Sequence, residues 1–284
     1  MGTLGAIPGA FTLSASCLIW RKNIVALHST PAIVLRSINL SENDKLITFM
    51  TEYFGKVKCV AKSARKLKNR FGAALESMSH INLIFFGRQN QTLYNLNHSD
   101  IIHSFQSVRE NFRKVFMGIY FTEAVEAMAS EGHREAGLFY LLLDSLKALK
   151  EQEELETLCR LFEIRLLCLA GYTPQLDHCV VCKSEPNTEW IGFSYHRNSI
   201  VCEACAKRNK LETRFKSGIL QYLKKMITMD IKLSERLKFP RGADKEIERI
   251  IHRMILSHTR RELKSYPFIH KMNQFQIDYE KTSC

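Results

Sequence analysis

Four cysteines stand in two Cys-x-x-Cys pairs, and this spacing suits the binding of a metal ion. Cys179 pairs with Cys182, Cys202 pairs with Cys205, and nineteen residues separate the two pairs. Four thiolates so arranged can close a tetrahedral zinc site in which every coordination position is taken by the protein. A closed site supports folding and leaves no open position for catalysis. We therefore predict one structural zinc ion bound by all four cysteines.

The residues between the two pairs have the pattern of a short hairpin. Residues 190–195 alternate as a strand does, residues 196–198 favour a turn, and residues 199–201 lead back to the second pair. This pattern predicts a zinc ribbon at about residues 175–210. The alternative, two redox dithiols or disulfides, requires an oxidising compartment or a thioredoxin-like setting, and the sequence indicates neither.

Other possible ligands and thiols lie near the pairs and along the chain. His178 and His196 could substitute for a cysteine, but four thiolates already complete the tetrahedron, so ordinary surface histidines are the favoured interpretation. The remaining cysteines are scattered and bring the total to nine, an odd number. We interpret them as reduced thiols, which predicts a cytoplasmic protein; they are Cys17, Cys59, Cys159, Cys168 and Cys284.

A run of cations is the second group of residues that could do chemistry. Seven lysines and arginines lie between residues 56 and 70 with no acidic residue among them, namely Lys56, Lys58, Lys62, Arg65, Lys66, Lys68 and Arg70. Such a run binds phosphates because each neutralised phosphate releases condensed counterions. We predict that these seven residues bind nucleic acid. A solvated basic loop is the alternative.

Two further features bear on nucleic-acid binding. Phe71 follows the run, where it could stack on a base or anchor the loop in the core, and the core position is favoured. Cations near the C-terminus alternate with glutamates on predicted helices, which usually indicates a solvated face with intrahelical ion pairs. They are second-rank candidates for DNA contact, and they include Lys224, Lys225, Arg260, Arg261 and Lys264.

The net charge of +12 is distributed unevenly along the chain. Residues 29–107 carry +5 and residues 216–284 carry +7, whereas residues 108–178 carry −4. Excess charge keeps a protein soluble whatever its function, but segregation of sign between segments favours a polyanionic partner. No apolar run reaches the length that spans a membrane.

Two patterns of apolar residues, one typical of strands and one typical of helices, predict the elements that position these groups. Alternating residues predict five short antiparallel strands, at residues 32–38, 46–53, 56–62, 79–86 and 92–96. Five such strands fit a small barrel, of which the OB-fold is the nucleic-acid-binding example. After residue 108 the apolar residues recur at three- and four-residue steps, which predicts three helices before the ribbon and two more, at residues 215–229 and 243–265, after it.

No catalytic constellation stands out. The sequence contains no phosphate-binding P-loop, no glycine-rich dinucleotide motif, no His-Glu-x-x-His and no Gly-x-Ser-x-Gly. A nuclease would need clustered carboxylates for its metal ions, and the acidic residues of the β-module are scattered. We predict a protein that is not an enzyme and has no small-molecule substrate.

The order of these parts resembles the RecO family of bacterial recombination mediators from about Ser29 to the C-terminus. No single segment is unique, but their order and spacing are specific. The segments are Ser41-Glu42-Asn43-Asp44-Lys45, Phe54-Gly55-Lys56, the basic residues 62–70, the helix at residues 135–149, and Gly171-Tyr172-Thr173-Pro174 leading into Cys179-Val180-Val181-Cys182. Residues 1–28 depart from the pattern, because the family usually starts near the first strand.

The resemblance implies an α+β multidomain fold and a function. It implies a five-stranded OB-fold DNA-binding domain at residues 29–107 and a helical domain at residues 108–284 that carries the inserted zinc ribbon, which leaves residues 1–28 as an N-terminal extension. The implied activity is binding of single- and double-stranded DNA, annealing of complementary strands, and loading of the RecA recombinase onto strands coated by single-strand-binding protein. RecR and single-strand-binding protein are the implied partners, in the bacterial cytoplasm at the nucleoid.

Two hypotheses of different class therefore remain. The first is a DNA-binding mediator that anneals strands during repair. The second is a zinc-stabilised scaffold or regulator whose basic face binds RNA or acidic proteins. Acceleration of DNA annealing by the purified protein without nucleotide would favour the first.

Overall fold

A closed β-barrel forms the N-terminal part of the chain. A computed structural model describes residues 25–269, apart from residues 89, 90, 212, 241 and 260. Five strands close the barrel in the order β1-β2-β3-β5-β4. Their bounds are β1 Val25–Asn39, β2 Lys45–Thr51, β3 Gly55–Ala61, β4 His80–Arg88 and β5 Tyr94–His103. All neighbouring strands are antiparallel except β3 and β5, which are parallel.

Alternation along the strands explains how one small sheet faces two cores. On β1, Ala32 and Val34 point into the barrel with Phe49 of β2, whereas Ile33 and Leu35 belong to the core of the helical domain. Successive side chains of a strand point to opposite faces, so a strand that is apolar at every position can pack on both sides. The barrel is therefore packed against the helices along β1 and β2.

The helical domain surrounds a single large apolar core that also receives the ribbon. Its helices are α1 Gln106–Glu110, α2 Phe112–Met128, α3 Ala136–Glu151, α4 Leu155–Leu169, α5 Glu203–Arg208, α6 Ser217–Thr228 and α7 Ala243–Thr259. Helix α4 is the central element, because ten of its fifteen residues are buried. Within the described residues no helix is both long enough and apolar enough to cross a membrane.

An ionic network lies inside this helical core. Arg160 and Glu163, one turn apart on α4, are both buried, and their Nη1 and Oε2 atoms are 2.7 Å apart without the alignment of a hydrogen bond. Tyr120 of α2 donates its hydroxyl hydrogen to Glu163 Oε1 at 2.5 Å. Glu248 of α7 lies 3.8 Å from Arg160 Nη2. The network ties three helices together around the buried Arg160 and Glu163, with the partly exposed Glu248 at its edge.

A three-stranded sheet within residues 190–216, which we call the ribbon, separates two environments. Its strands are β6 Trp190–Ser194, β7 Ser199–Cys202 and β8 Arg214–Lys216, in the order β7-β6-β8. Ile191, Phe193 and Phe215 pack into the helical core, whereas Val201 forms a separate small cluster with two of the four cysteines. One face of the sheet thus anchors the ribbon and the other holds the cysteine cluster.

Several element bounds differ from those expected from sequence. Residues 25–28, expected in an N-terminal extension, are the first residues of β1 and pair with β4 as far as Arg88; the rest of that extension, residues 1–24, lies outside the described residues. Strand β5 continues beyond residue 96 to His103, because β4 pairs with it over that length. The helix expected from residue 215 begins at Ser217, because Phe215 and Lys216 pair with β6. Helix α7 ends at Thr259 and does not extend to residue 265. The amide and hydroxyl of Ser265 instead donate hydrogen bonds to the Glu123 carboxylate of α2.

Candidate nucleic-acid interface and metal centre

The structure brings Cys179, Cys182, Cys202 and Cys205 into one cluster. One Sγ atom from each lies within 4.8 Å of every other, and the Sγ atoms of Cys182 and Cys202 are 3.6 Å apart. A tetrahedron with Zn–S bonds of about 2.3 Å has edges of about 3.8 Å. The cluster therefore has the size and the donor set of a four-thiolate metal site.

Local structure prepares each pair for this geometry. The Lys183 amide donates to the Cys179 carbonyl oxygen at 2.9 Å, and Lys183 has a positive φ of 62°, so the chain turns sharply around the first pair. Cys202 ends β7 and Cys205 lies on α5, one turn later. Cys179 and Cys205 are buried, whereas Cys182 is exposed. The site thus lies at the surface with two of its ligands fixed inside.

Two of the thiols, those of Cys182 and Cys205, differ in how easily they release a proton. A hydrogen bond from the Ser184 hydroxyl stabilises the Cys182 thiolate and lowers its pKa to about 6. The Cys205 thiol is instead hydrogen-bonded to Cys202 and has its pKa raised to about 12. A cation at the centre of the four-cysteine cluster would remove this difference in pKa, because metal binding favours the thiolate form of every ligand.

The histidines and remaining cysteines stay apart from the cluster. His178 and His196 are exposed and are not part of the four-ligand group, as the ordinary-surface interpretation expects. Cys59 and Cys159 are buried in the barrel and helical cores, and Cys168 is partly buried. None of the described cysteines forms a disulfide. Cys17 and Cys284 lie outside the described residues.

Five of the seven cations predicted to bind nucleic acid are exposed on one loop. This loop, residues 62–70, follows β3 and precedes a 3-10 helix at Gly72–Leu75. We call it the basic loop; its exposed cations are Lys62, Arg65, Lys66, Lys68 and Arg70. None of them forms an ion pair with any residue between 25 and 269 that the structure describes. Five uncompensated charges on about nine residues make a strongly positive surface.

The basic loop is attached at both ends. At its start the Ser63 amide donates to Asp44 Oδ1 at 2.8 Å, and Arg65 Nη1 donates to the Ser41 carbonyl oxygen at 2.6 Å. At its end Asn69 Oδ1 accepts hydrogen bonds from the amides of Phe71 and Gly72. The loop is therefore held against the β1–β2 turn instead of being free in solvent.

Phe71 has the role that sequence reasoning favoured, since its side chain is buried in the barrel core. The alternative, in which it stacks on a base, is wrong for this conformation. The Arg70 guanidinium lies over the Phe71 ring, 4.9 Å from its centroid, and donates to the Leu96 carbonyl oxygen. Phe71 thus positions an arginine at the surface.

Lys56 and Lys58 lie on β3 and turn toward the helical domain. Lys58 Nζ forms an ion pair and hydrogen bond with Glu131, and Lys56 Nζ donates to the Glu126 carbonyl oxygen at 2.9 Å. Burial lowers the pKa of Lys56, partly opposed by the neighbouring Glu131 carboxylate. These two cations are engaged within the molecule, unlike the five on the loop. Sequence reasoning missed Glu131 because it is 73 residues from Lys58.

Of the four C-terminal candidates that the structure describes, two form ion pairs within the molecule, whereas Lys225 and Lys264 form none. Lys224 pairs with Asp177 at 2.8 Å, and Arg261 lies 3.8 Å from Glu126. These pairs join different elements, whereas the sequence pattern suggested intrahelical pairs. Lys225 is exposed, and Arg260 lies outside the described side chains. The cations of the basic loop therefore remain the first candidates for phosphate contact.

These features define a class of protein: a closed five-stranded barrel with a basic loop, packed on a helical domain that carries a four-cysteine cluster. Comparison with known families gives the same division of the chain. The family model described as recombination protein O N terminal matches residues 25–105, and the one described as recombination protein O C terminal matches residues 109–267.

Curated relatives extend over nearly the whole chain. A DNA repair protein RecO of Symbiobacterium thermophilum is 32% identical over 249 residues, which cover 86% of this chain and 97% of the relative. A DNA repair protein RecO of Thermodesulfovibrio yellowstonii is 31% identical over 237 residues, which cover 81% of this chain and 92% of the relative. The chain therefore belongs to the RecO family of recombination proteins.

Proposed function

We propose that this protein is a DNA-binding recombination mediator in DNA repair. It would anneal complementary strands and help to load the RecA recombinase onto single-stranded DNA coated by single-strand-binding protein, without itself being an enzyme. The observation that carries the proposal is the basic loop, whose five exposed cations have no ion-pair partner among the described residues. Phosphates of either single- or double-stranded DNA would supply the missing charges.

The barrel topology supports an OB-fold assignment for residues 29–107. Five strands close in the order β1-β2-β3-β5-β4, with one parallel pair between β3 and β5. Barrels of this class bind oligonucleotides through loops and through the strands beside them. We assign the phosphate contacts to Lys62, Arg65, Lys66, Lys68 and Arg70. Lys56 and Lys58 would join them only after leaving their partners in the helical domain.

A zinc ion is the cofactor that the cysteine cluster fits best. Soft thiolates in tetrahedral arrangement select zinc or iron–sulfur chemistry, and a single four-thiolate set between two short turns is typical of structural zinc. The ion would be held by Cys179, Cys182, Cys202 and Cys205. Its contribution would be to fold the ribbon, whose own apolar cluster beside the cysteines is small.

RecR and single-strand-binding protein are the proposed partners, in the bacterial cytoplasm at the nucleoid. An acidic tail with an apolar end, the form expected of single-strand-binding protein, requires a cation beside an apolar pocket. A groove of about 440 Å³ between β1, α2 and residues 261–268 offers both. Phe116, Ile119 and Phe268 are among its apolar lining residues. Arg36 and Arg261 also line it but pair with Glu126, so Lys264 is the lining cation without an ion pair among the described residues.

The proposed function is tested by reversing charge on the basic loop without disturbing the loop's hydrogen bonds. Lys62 and Lys68 serve this purpose because their side chains are exposed, whereas Arg65 holds the Ser41 carbonyl. We expect Lys62→Glu with Lys68→Glu to weaken DNA binding roughly tenfold or more, and to reduce the salt slope by about one for each phosphate that the loop no longer binds. Annealing should slow in parallel, independent of base sequence.

The matched control reverses two exposed lysines of the acidic helical domain, Lys147→Glu with Lys150→Glu. This variant has the same net charge as the loop variant, so a general charge effect would weaken both equally. Annealing by the loop variant at the wild-type rate would contradict the assignment of the DNA-binding site to the basic loop. Absence of annealing by the wild-type protein at any salt concentration would favour the scaffold or regulator that binds RNA or acidic proteins.

The metal proposal is tested by elemental analysis of the purified protein. We expect about one zinc ion per chain, lost in Cys182→Ser, together with local unfolding of the ribbon measured by hydrogen exchange. Cys168→Ser is the control, because Cys168 is a partly buried thiol outside the cluster. Metal content well below one ion per chain in the wild type, with no loss of stability in chelator, would refute the zinc site.

A further inference from the structure

The basic loop carries the most exposed large apolar side chain of the described residues. Leu67 has a relative exposure of 101%, and the next largest values are 69% for Phe112 and 66% for Leu27. Isolated exposed leucines are common on protein surfaces and by themselves indicate nothing. Leu67 differs in being fully exposed at the centre of a surface that carries five uncompensated cations.

The loop is built so that Leu67 stays outside the core. Ala64 before it and Phe71 after it are both buried in the barrel, so the chain leaves the core and returns to it within a few residues. Between them, the Lys66 amide donates to the Ser63 carbonyl oxygen at 3.2 Å, and Asn69 Nδ2 donates to the Lys66 carbonyl oxygen at 3.2 Å. These bonds form a short, internally braced turn with Leu67 within it.

The neighbours of Leu67 determine what it can approach. Lys66 and Lys68 flank it directly, Arg65 lies two residues before it, and Arg70 lies three residues after it. Four cations on the same short turn will be drawn to phosphates, and phosphates of a nucleic acid bring base edges and base faces within reach of the side chain between them. Apolar side chains placed in this way can enter a base stack as wedges.

We propose that Leu67 is a wedge that enters between neighbouring bases of DNA bound at the basic loop. The inference rests on the proposed function, because it requires DNA at this surface. Cations of the loop would hold the backbone, and the Leu67 side chain would separate two adjacent bases that are otherwise stacked. The separation costs stacking energy, which the burial of the apolar side chain offsets in part. Unstacked bases can form base pairs with a complementary strand, which is the step that annealing requires.

The loop's chemistry favours DNA over a protein as the ligand of Leu67. An acidic protein segment would neutralise the cations equally well, but a protein site for leucine is a concave apolar pocket, and the contact would then depend on one particular partner. A base stack offers apolar faces next to phosphates at every step of the strand. The wedge should therefore act on DNA of any sequence.

The test uses the full-length protein with oligonucleotides that carry 2-aminopurine, whose fluorescence rises when it is unstacked. We compare the wild type with Leu67→Ala and Leu67→Phe, in single strands and in duplex. The control is Leu27→Ala, which removes an exposed leucine near the start of β1, outside the basic loop. Thermal melting establishes that each variant is folded.

We expect wild-type protein to raise the fluorescence and Leu67→Ala to bind without raising it. The affinity of Leu67→Ala should fall roughly three- to tenfold, because the lost burial of the leucine side chain is offset in part by the unstacking cost that this variant avoids. The salt slope should stay unchanged because no charge is removed. Leu67→Phe should keep the fluorescence change, since an aromatic ring also fits between bases, and Leu27→Ala should match the wild type.

Three results would overturn the inference, and they differ from one another. Equal fluorescence and affinity for Leu67→Ala and wild type, with DNA binding lost when Lys62 and Lys68 are reversed, would leave the proposed function intact and refute the wedge alone. DNA binding that is absent in the wild type would refute both. A defect of Leu67→Ala confined to binding of an acidic peptide would assign the leucine to a protein partner and would also refute the wedge.

Discussion

Replacement of Glu131 by glutamine should strengthen DNA binding, because this carboxylate competes with phosphate for a lysine of the barrel. Glu131 lies between α2 and α3 and forms an ion pair with Lys58 of β3. The hydrogen bond from Lys58 lowers the pKa of Glu131, so the carboxylate is ionised at neutral pH. Glu131→Gln removes the charge but keeps the shape, and it leaves the neighbouring Lys56 bonded to the Glu126 carbonyl.

The exposure of the pair sets the size of the effect. The side chain of Lys58 is 37% exposed and that of Glu131 is 48% exposed. Ion pairs this exposed contribute about 0.2–1 kcal/mol, so the free energy of unfolding should fall by no more than about 1 kcal/mol. The same energy no longer opposes phosphate binding, which corresponds to a gain in DNA affinity of up to about fivefold. If Lys58 then contacts a phosphate, the salt slope should steepen by about 0.7 for single strands and about 0.9 for duplex.

Fluorescence anisotropy with labelled DNA at several salt concentrations measures both quantities. The matched control is Glu156→Gln, which breaks a pair with Arg113 of similar exposure, 40% and 34%, that involves no residue of the barrel. That variant loses the same charge, so any general electrostatic gain appears in it as well. Equal affinities for the two variants, or weaker binding by Glu131→Gln than by the wild type, would refute the competition between Glu131 and phosphate.

Two further predictions concern stability. Glu163→Gln should lower the free energy of unfolding by about 3–5 kcal/mol in urea titrations, because it leaves the buried Arg160 charge with only a more distant carboxylate; a loss below about 1 kcal/mol would show that the network is not needed as an ion pair. Burial, aided by nearby His103 and Lys147, lowers the pKa of His80 to about 4. The unfolded chain therefore binds more protons between about pH 6.5 and pH 4, so stability should fall by about 1–3 kcal/mol as pH decreases through that window, and His80→Leu should abolish this part of the pH dependence.

Local patterns predicted much of the architecture. Helix α4 is one of the three helices that the apolar periodicity predicted before the ribbon, because a helix with ten buried residues among fifteen repeats its apolar side chains at regular steps. Doubled Cys-x-x-Cys pairs likewise indicated the cluster, since the two pairs need only a hairpin between them to meet. Strand β8 was missed because three residues, Arg214–Lys216, are too few to show a period.

The interface between the barrel and the helical domain could not be predicted from sequence. Gly55 illustrates this: its φ of +65° suits the turn between β2 and β3, but a Cβ atom there would lie 1.8 Å from the His133 carbonyl oxygen. The close approach involves residues far apart along the chain, and no local pattern records it.

The charges show the same division between sequence and tertiary structure. The cationic run from Lys56 to Arg70 is a property of the sequence alone, and it determined that the β-module is basic. Which of those cations are available was decided by tertiary packing, because docking of the helical domain brings Glu131 to Lys58 and leaves the basic loop in solvent. Coulombic partners are selected by distance in space, whereas a sequence specifies only distance along the chain.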